Sequence, residues 1–239
     1  MRDSASRFRL LALTVLAGAI LAGLGAWQVA RYFQAKDRRE RVDAAQSAPP
    51  LPWRKGAAPE LYRRIVLSGK FPAARPALLY VGPLAPNGEI GFDVLRPFET
   101  KDGEKILVNV GWIPDRLKSD YDVELRAKKA SLLPATVVPG ERPGRFTPDN
   151  DVRHNYWFWA DMDALAAQFS LTEKNLFAMR TPAPNKKASS PIYPLARTAS
   201  PRPSLPHAQY ALTWLSLLLI LIIIALRWTR AEKEKEMPA

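Results

Sequence analysis

The chain has 239 residues, 47% of them apolar, a formal charge of +12 and no cysteine. The missing cysteine excludes disulfides, zinc–thiolate sites and thiol redox chemistry. The basic excess argues for membrane lipid and against nucleic acid, because much of it flanks two apolar spans and would face anionic headgroups there. These residues are Arg2, Arg7 and Arg9, then Arg31, Lys36, Arg38, Arg39 and Arg41, and finally Arg227, Arg230, Lys233 and Lys235.

Residues 1–9 form a short basic N-terminus. The first span, 10–29, carries no charge and approaches the roughly 20 residues that cross a bilayer as helix. It exceeds the h-region of a signal peptide, and Trp27-Gln28-Val29 stands where small residues would mark cleavage, so the span is expected to be retained. Only about nine residues precede it, too few for a transit peptide, which favours a bacterial chain. Gly18, Ala22, Ala26 and Ala30, with Ala19 and Gly23 alongside, form a stripe one turn apart. That stripe either admits a second helix closely or reflects the general frequency of small residues in such spans. Pairing of the two spans is the economical expectation.

Residues 30–59 read as a charged helical extension, broken at Ser47-Ala48-Pro49-Pro50, followed by a linker. From 60 to 181 the pattern is that of strands. Residues 61–68 are mixed apolar and basic and end at Gly69, and Leu78–Val81 closes at Gly82-Pro83, before a turn signal at Pro86-Asn87-Gly88. Phe92–Phe98 and Glu104–Trp112 form the best-defined hairpin, joined through Asp102-Gly103. Alternation places Ile106, Val108, Val110 and Trp112 on one face, with Asn109 and Gly111 opposite. Leu132–Val138, Tyr156–Trp159 and Asn175–Arg180 are further strands. Asp161 reads as the N-cap of a helix over Met162–Phe169, apolar at Met162, Leu165, Ala166 and Phe169.

Residues 182–207 are a proline-rich connector, 208–226 a second span and 227–239 a charged tail. The four basic residues of that tail outnumber Arg197 and Arg202 before the span, so both termini are placed in the cytoplasm and the intervening domain in the periplasm. The expected fold is a membrane protein with two transmembrane α-helices bracketing a mainly antiparallel β (α+β) soluble domain.

No HExxH, GxSxG or glycine-rich phosphate loop is present, and Asp93, Asp102, Asp115 and Asp161 sit in turn or cap contexts, so an enzyme is not expected. His154 receives no role. His207 opens the second span, and on a helix it shares a face with Tyr210, Ala211 and Trp214. Two readings stand: an axial ligand for a haem iron with aromatic walls, or a helix cap above an interfacial aromatic belt. Trp27 and Arg31 are i, i+4 neighbours on the same side of the membrane, and Arg31 suits either a haem propionate or a lipid headgroup.

Five motifs in order resemble the surfeit locus protein family. They are Leu24-Gly25-Ala26-Trp27-Gln28-Val29-Ala30-Arg31 with Lys36; Leu79-Tyr80-Val81-Gly82-Pro83 followed by Gly91-Phe92-Asp93-Val94-Leu95-Arg96-Pro97; and Ile106-Leu107-Val108-Asn109-Val110-Gly111-Trp112-Ile113-Pro114. Asn155-Tyr156-Trp157-Phe158-Trp159-Ala160-Asp161 and His207-Ala208-Gln209-Tyr210-Ala211-Leu212-Thr213-Trp214 complete the set. The resemblance implies a non-enzymatic assembly chaperone for cytochrome c oxidase (respiratory complex IV) in the bacterial inner membrane, serving haem a delivery to the oxidase catalytic subunit. It further implies haem a synthase as a partner and His207 as the candidate axial ligand to haem a. Tyr210, Trp214, Trp27 and Arg31 would complete the cofactor site. The family's usual Asn before the histidine is replaced here by Ser204-Leu205-Pro206. The rival reading is an envelope scaffold or sensory protein that binds another protein without a cofactor.

Overall fold

A computed structural model describes residues 2–56, 59–82, 89–182, 192–199 and 206–236. The turns expected at Gly82-Pro83 and Pro86-Asn87-Gly88, and most of the connector including Ser204-Leu205, lie outside the described residues. Two compact units emerge: Met1–Arg41 with Arg202–Ala239, and Val42–Pro201.

In the first unit, both apolar runs are helices long and apolar enough to cross a membrane. The first, α1, spans Arg2–Ser47 and ends where Pro49-Pro50 removes two backbone donors. The last helix of the chain, α4, spans His207–Glu236. The two pair in antiparallel register, Gly18 meeting Leu218 and Leu221, and Gly25 meeting Trp214 and Leu215. The seam is not the expected alanine stripe. Ala17, Gly18, Leu21, Leu24, Gly25 and Gln28 are shielded, whereas Ala22, Ala26 and Ala30 are exposed. Alternating three- and four-residue steps keep a side chain on the partner, while strict four-residue steps drift around the helix.

The second unit is built on seven strands: β1 (Leu51–Pro52), β2 (Arg64–Phe71), β3 (Ala77–Val81), β4 (Gly91–Thr100), β5 (Lys105–Pro114), β6 (Lys128–Pro139) and β7 (Leu176–Arg180). A short helix, α2 (Lys118–Tyr121), follows β5, and α3 (Met162–Phe169) precedes β7. The sheet order is β1-β2-β6-β7-β5-β4-β3, and an additional β2–β4 pairing closes β2, β6, β7, β5 and β4 into a five-stranded ring. Most ladders are antiparallel as expected, but β1–β2 and β5–β7 are parallel, which makes the sheet mixed.

Gly69 does not end β2. It sits at a bulge after Ser68, beyond which β2 stays paired with β6 to Phe71 and also takes up β4 on its other edge, Gly69 opposite Thr100. A Cβ at Gly69 would run into the Glu99 carbonyl, so ring closure requires glycine there.

Apolar residues occupy both faces of the strands. Ile65, Leu67, Phe92, Val94, Phe98, Ile106, Val108, Val137 and Ala178 fill the inside of the ring. Leu79, Leu95, Leu107, Val138 and Phe177 face outward and are covered by α3 through Met162, Leu165 and Ala166. Asp161 caps α3 as expected, accepting from the backbone N–H groups of Asp163 and Ala164 at 3.1 Å each.

Two sequence expectations fail here. Tyr156–Trp159 is not a strand; it makes isolated bridges, Tyr156 with Asp151 and Trp157 with Leu79. The alternation of β5 also breaks after Val110. The β4–β5 register shifts at this point, and Ile113, rather than Trp112, returns to the interior. Trp112 is buried on the other side, beside Tyr193.

Candidate functional site

The polar chemistry gathers at two places, one in each unit. In the helix pair, α4 begins at Pro206-His207, with the Gln209 and Tyr210 N–H groups donating to the Pro206 carbonyl at 3.0 and 3.2 Å. Proline suits this position because its missing N–H would have had no helical partner. His207 is half-buried, and its Nδ1 lies 2.8 Å from Oε1 of the buried Gln28 on α1. A carbonyl oxygen accepts, so Nδ1 is the donor and Nε2 is the ring nitrogen left outside this bond. In metal sites an imidazole commonly binds through one nitrogen while the other is oriented by such a hydrogen bond.

The sequence-expected residues divide around this bond. Ala211 is buried and Trp214 half-buried along the seam, where Trp214 Cβ would lie 3.8 Å from a Cβ at Gly25. Leu215 would approach that atom to 3.1 Å, so the seam is filled about two turns along α4 from the histidine. Tyr210 and Trp27 are exposed, off the seam. Arg31 lies over the Trp27 ring at 5.8 Å and donates to Gln34 at 3.3 Å. At 100° per residue, Trp27 and Arg31 fall to one rotational side of Gln28, and Tyr210 falls to the same rotational side of His207. Between antiparallel helices those two sides form one flank. Gln28 was not singled out as a site residue; the three-residue step from Gly25 was the available signal.

In the domain, Asp93 is not a turn residue. It is buried mid-strand on the outer side of β4, accepting from Asn109 Nδ2 at 2.9 Å and from Arg197 Nη1 at 2.8 and 2.9 Å. Burial pushes its carboxyl above the ordinary 3.8, against the downward pull of Arg197 and Asn109. The Asn109 carbonyl oxygen accepts from the Gly111 N–H at 2.9 Å, and Trp112 exchanges two backbone hydrogen bonds of 2.8 Å with Leu195. This portion of the expected connector is therefore an added strand-like segment clamped to β5. His154, by contrast, is exposed and bonded to Asp151 at 2.7 Å within one turn.

A folded domain that holds the Asp93 proton more tightly than the unfolded chain binds more protons above pH 3.8, so its stability falls as pH rises from there. Urea midpoints of the wild type and Asp93→Asn between about pH 4 and 6 will show this as a wild-type advantage that shrinks with pH. An advantage that grows would mean that Arg197 dominates.

A family model described as the SURF1 family matches residues 15–219, a range containing the whole ring and parts of both apolar helices. The chain belongs to the SURF1 family. The SURF1-like protein of Rickettsia prowazekii is 26% identical over 212 residues, covering 86% of this chain and 83% of that one. The SURF1-like protein of Dictyostelium discoideum is 28% identical over 252 residues, with coverages of 88% and 93%. Surfeit locus protein 1 of Takifugu rubripes is 30% identical over 170 residues, 60% of this chain and 67% of the fish protein. The SURF1 match therefore covers both units.

Proposed function

We propose that this SURF1-family chain is a non-enzymatic assembly factor of cytochrome c oxidase that holds haem a transiently at His207. The observation that carries the reading is the His207–Gln28 hydrogen bond, which engages Nδ1, orients the ring and leaves Nε2 as the nitrogen that a metal could take. His207 would supply the axial nitrogen, Arg31 would pair with a propionate, and Trp27 and Tyr210 would lie against the macrocycle. Haem a, when bound, supplies redox-active iron to the oxidase; the chain's part is to ligate, orient and release it. Because Leu215 and Trp214 lie against Gly25 in the seam, a haem would be held on the flank carrying Trp27, Arg31 and Tyr210, with Trp214 as packing behind it.

In this reading α1 and α4 cross the bacterial inner membrane, the domain lies in the periplasm, and the oxidase catalytic subunit and haem a synthase are the partners. Two apolar helices of sufficient length and the basic residues flanking them support the placement.

Co-expression with haem a synthesis, purification in mild detergent and an absorption spectrum test the proposal. The wild type is expected to carry a Soret band, and His207→Ala to lose it while keeping the wild-type circular dichroism and membrane fraction. A full band in His207→Ala moves the ligand elsewhere. A wild type with no band returns the chain to the cofactor-free scaffold reading.

A further inference from the structure

One feature of the ring's interior departs from its apolar rule. Inward positions alternate along each strand, and at one mouth of the ring two of them are arginine: Arg96 on β4, between Val94 and Phe98, and Arg180 on β7, two residues after Ala178. Together with Phe71, Val110 and Leu133 they line a cavity of about 410 Å³, so all five strands of the ring contribute to it. Tyr121 and Tyr193 add aromatic surface at its rim. The mouth of a β-barrel is a usual place for a small-molecule site, and this volume suits a ring-sized body.

Arg96 is only 4% exposed. Its Nη2 donates to the carbonyls of Pro72 and Arg126 at 3.1 and 3.2 Å, and its guanidinium lies over the Phe71 ring at 5.1 Å. Arg180 Nη2 donates to the Pro194 carbonyl at 2.5 Å. The Nε atoms of both are buried without a hydrogen-bond partner. Among the described residues neither guanidinium pairs with a carboxylate, and Asp120, at the exposed rim, is the cavity's only acidic side chain. Burial pulls the pKa of both guanidinium groups downward, which reports the same uncompensated charge. A buried cation that meets backbone carbonyls, and at Arg96 one aromatic face, but no anion is costly, and the cost is relieved by an anion reaching it from the cavity.

We propose that the mouth of the ring binds a small organic anion, a carboxylate on a ring-sized apolar body, with its charge on Arg96 and Arg180 and its body against Phe71, Val110 and Leu133. The site is independent of any cofactor at His207. A purely structural role, in which the arginines only tie strand ends to Pro72 and Pro194, predicts no ligand at all.

Equilibrium dialysis of the full chain in a non-ionic detergent, against empty micelles, separates the two. The probes are 2-naphthoate, the uncharged 2-naphthalenemethanol and inorganic phosphate. Saturable one-to-one binding of naphthoate is expected, with both the alcohol and phosphate weaker by about tenfold or more. Arg180→Gln, at a half-buried position, is expected to weaken naphthoate by about tenfold with an unchanged melting curve, and Arg96→Gln by more if it folds. Non-saturable uptake, equal binding of the alcohol, equal binding of phosphate, or an Arg180→Gln protein that binds naphthoate like the wild type would each overturn the proposal.

Discussion

Gly111→Ala is expected to destabilise the central domain by about 3 kcal/mol or more, among the largest losses any single methyl can cause here. Two costs add at this residue. Its φ is +129°, a region that side-chain-bearing residues avoid at about 1–3 kcal/mol. A Cβ there would also sit 2.5 Å from the Leu195 carbonyl oxygen and 2.6 Å from its carbon, backbone atoms that cannot rotate aside. The segment holding Leu195 would have to lift, breaking both Trp112–Leu195 hydrogen bonds and drawing Arg197 off Asp93. Gly56→Ala is the control, because Gly56 also has positive φ (+71°) but nothing within 4 Å of a new Cβ, so only the backbone strain of about 1 kcal/mol remains. Urea denaturation followed by tryptophan fluorescence gives both numbers. Equal losses in the two variants would show that Leu195 does not rest on Gly111.

The same residue explains which parts of the fold could be read in advance and which could not. The β4–β5 hairpin was legible because Asp102-Gly103 sets a turn and apolar runs flank it; Gly103 takes the expected positive φ of +83°. The α3 cap was legible because a carboxylate three residues before a backbone N–H has one obvious use. The parity of β5 was not, since a bulge inserts one residue without any change in composition, and every side chain after it changes sides. Trp112 therefore read as an inward residue, whereas Ile113 is the one that returns to the interior. Asp93 was misread for a related reason. Its partner Arg197 lies 104 residues away, and local sequence holds no trace of a distant ion pair. Of the helix pair, the two spans and their association were legible from hydropathy and small residues. The seam was not, because Gly18 opens both the four-residue stripe through Ala22 and Ala26 and the seven-residue step to Gly25, and only the partner's side chains decide between them.

Trp157→Ala is expected to cost about 4 kcal/mol and Trp157→Phe about 1–2 kcal/mol; the smaller loss reads the indole nitrogen and the difference between the two reads the packing of the ring. Trp157 is fully buried in the outer cluster, between Leu79 on β3 and the residues of α3. Its backbone pairs with β3 on both sides: the N–H donates to the Leu78 carbonyl at 3.1 Å, and the carbonyl accepts from the Tyr80 N–H at 2.6 Å. The indole Nε1 donates to Asn155 Oδ1 at 3.2 Å, which also accepts from the Leu78 N–H at 3.2 Å. Asn155 is itself buried at positive φ (+53°), and its Nδ2 donates to the Pro76 carbonyl and to Asp122 Oδ1 at 2.9 and 2.5 Å. One amide thus replaces the ladder that a strand over 156–159 would have made. Removing the whole indole leaves a cavity at the middle of this knot, whereas phenylalanine fills most of it and removes one donor from Asn155. Thermal melts of the two variants against the wild type read the ratio. Equal losses would make the indole–amide bond the whole contribution and packing against β3 and α3 irrelevant, contrary to the burial of every atom of the ring.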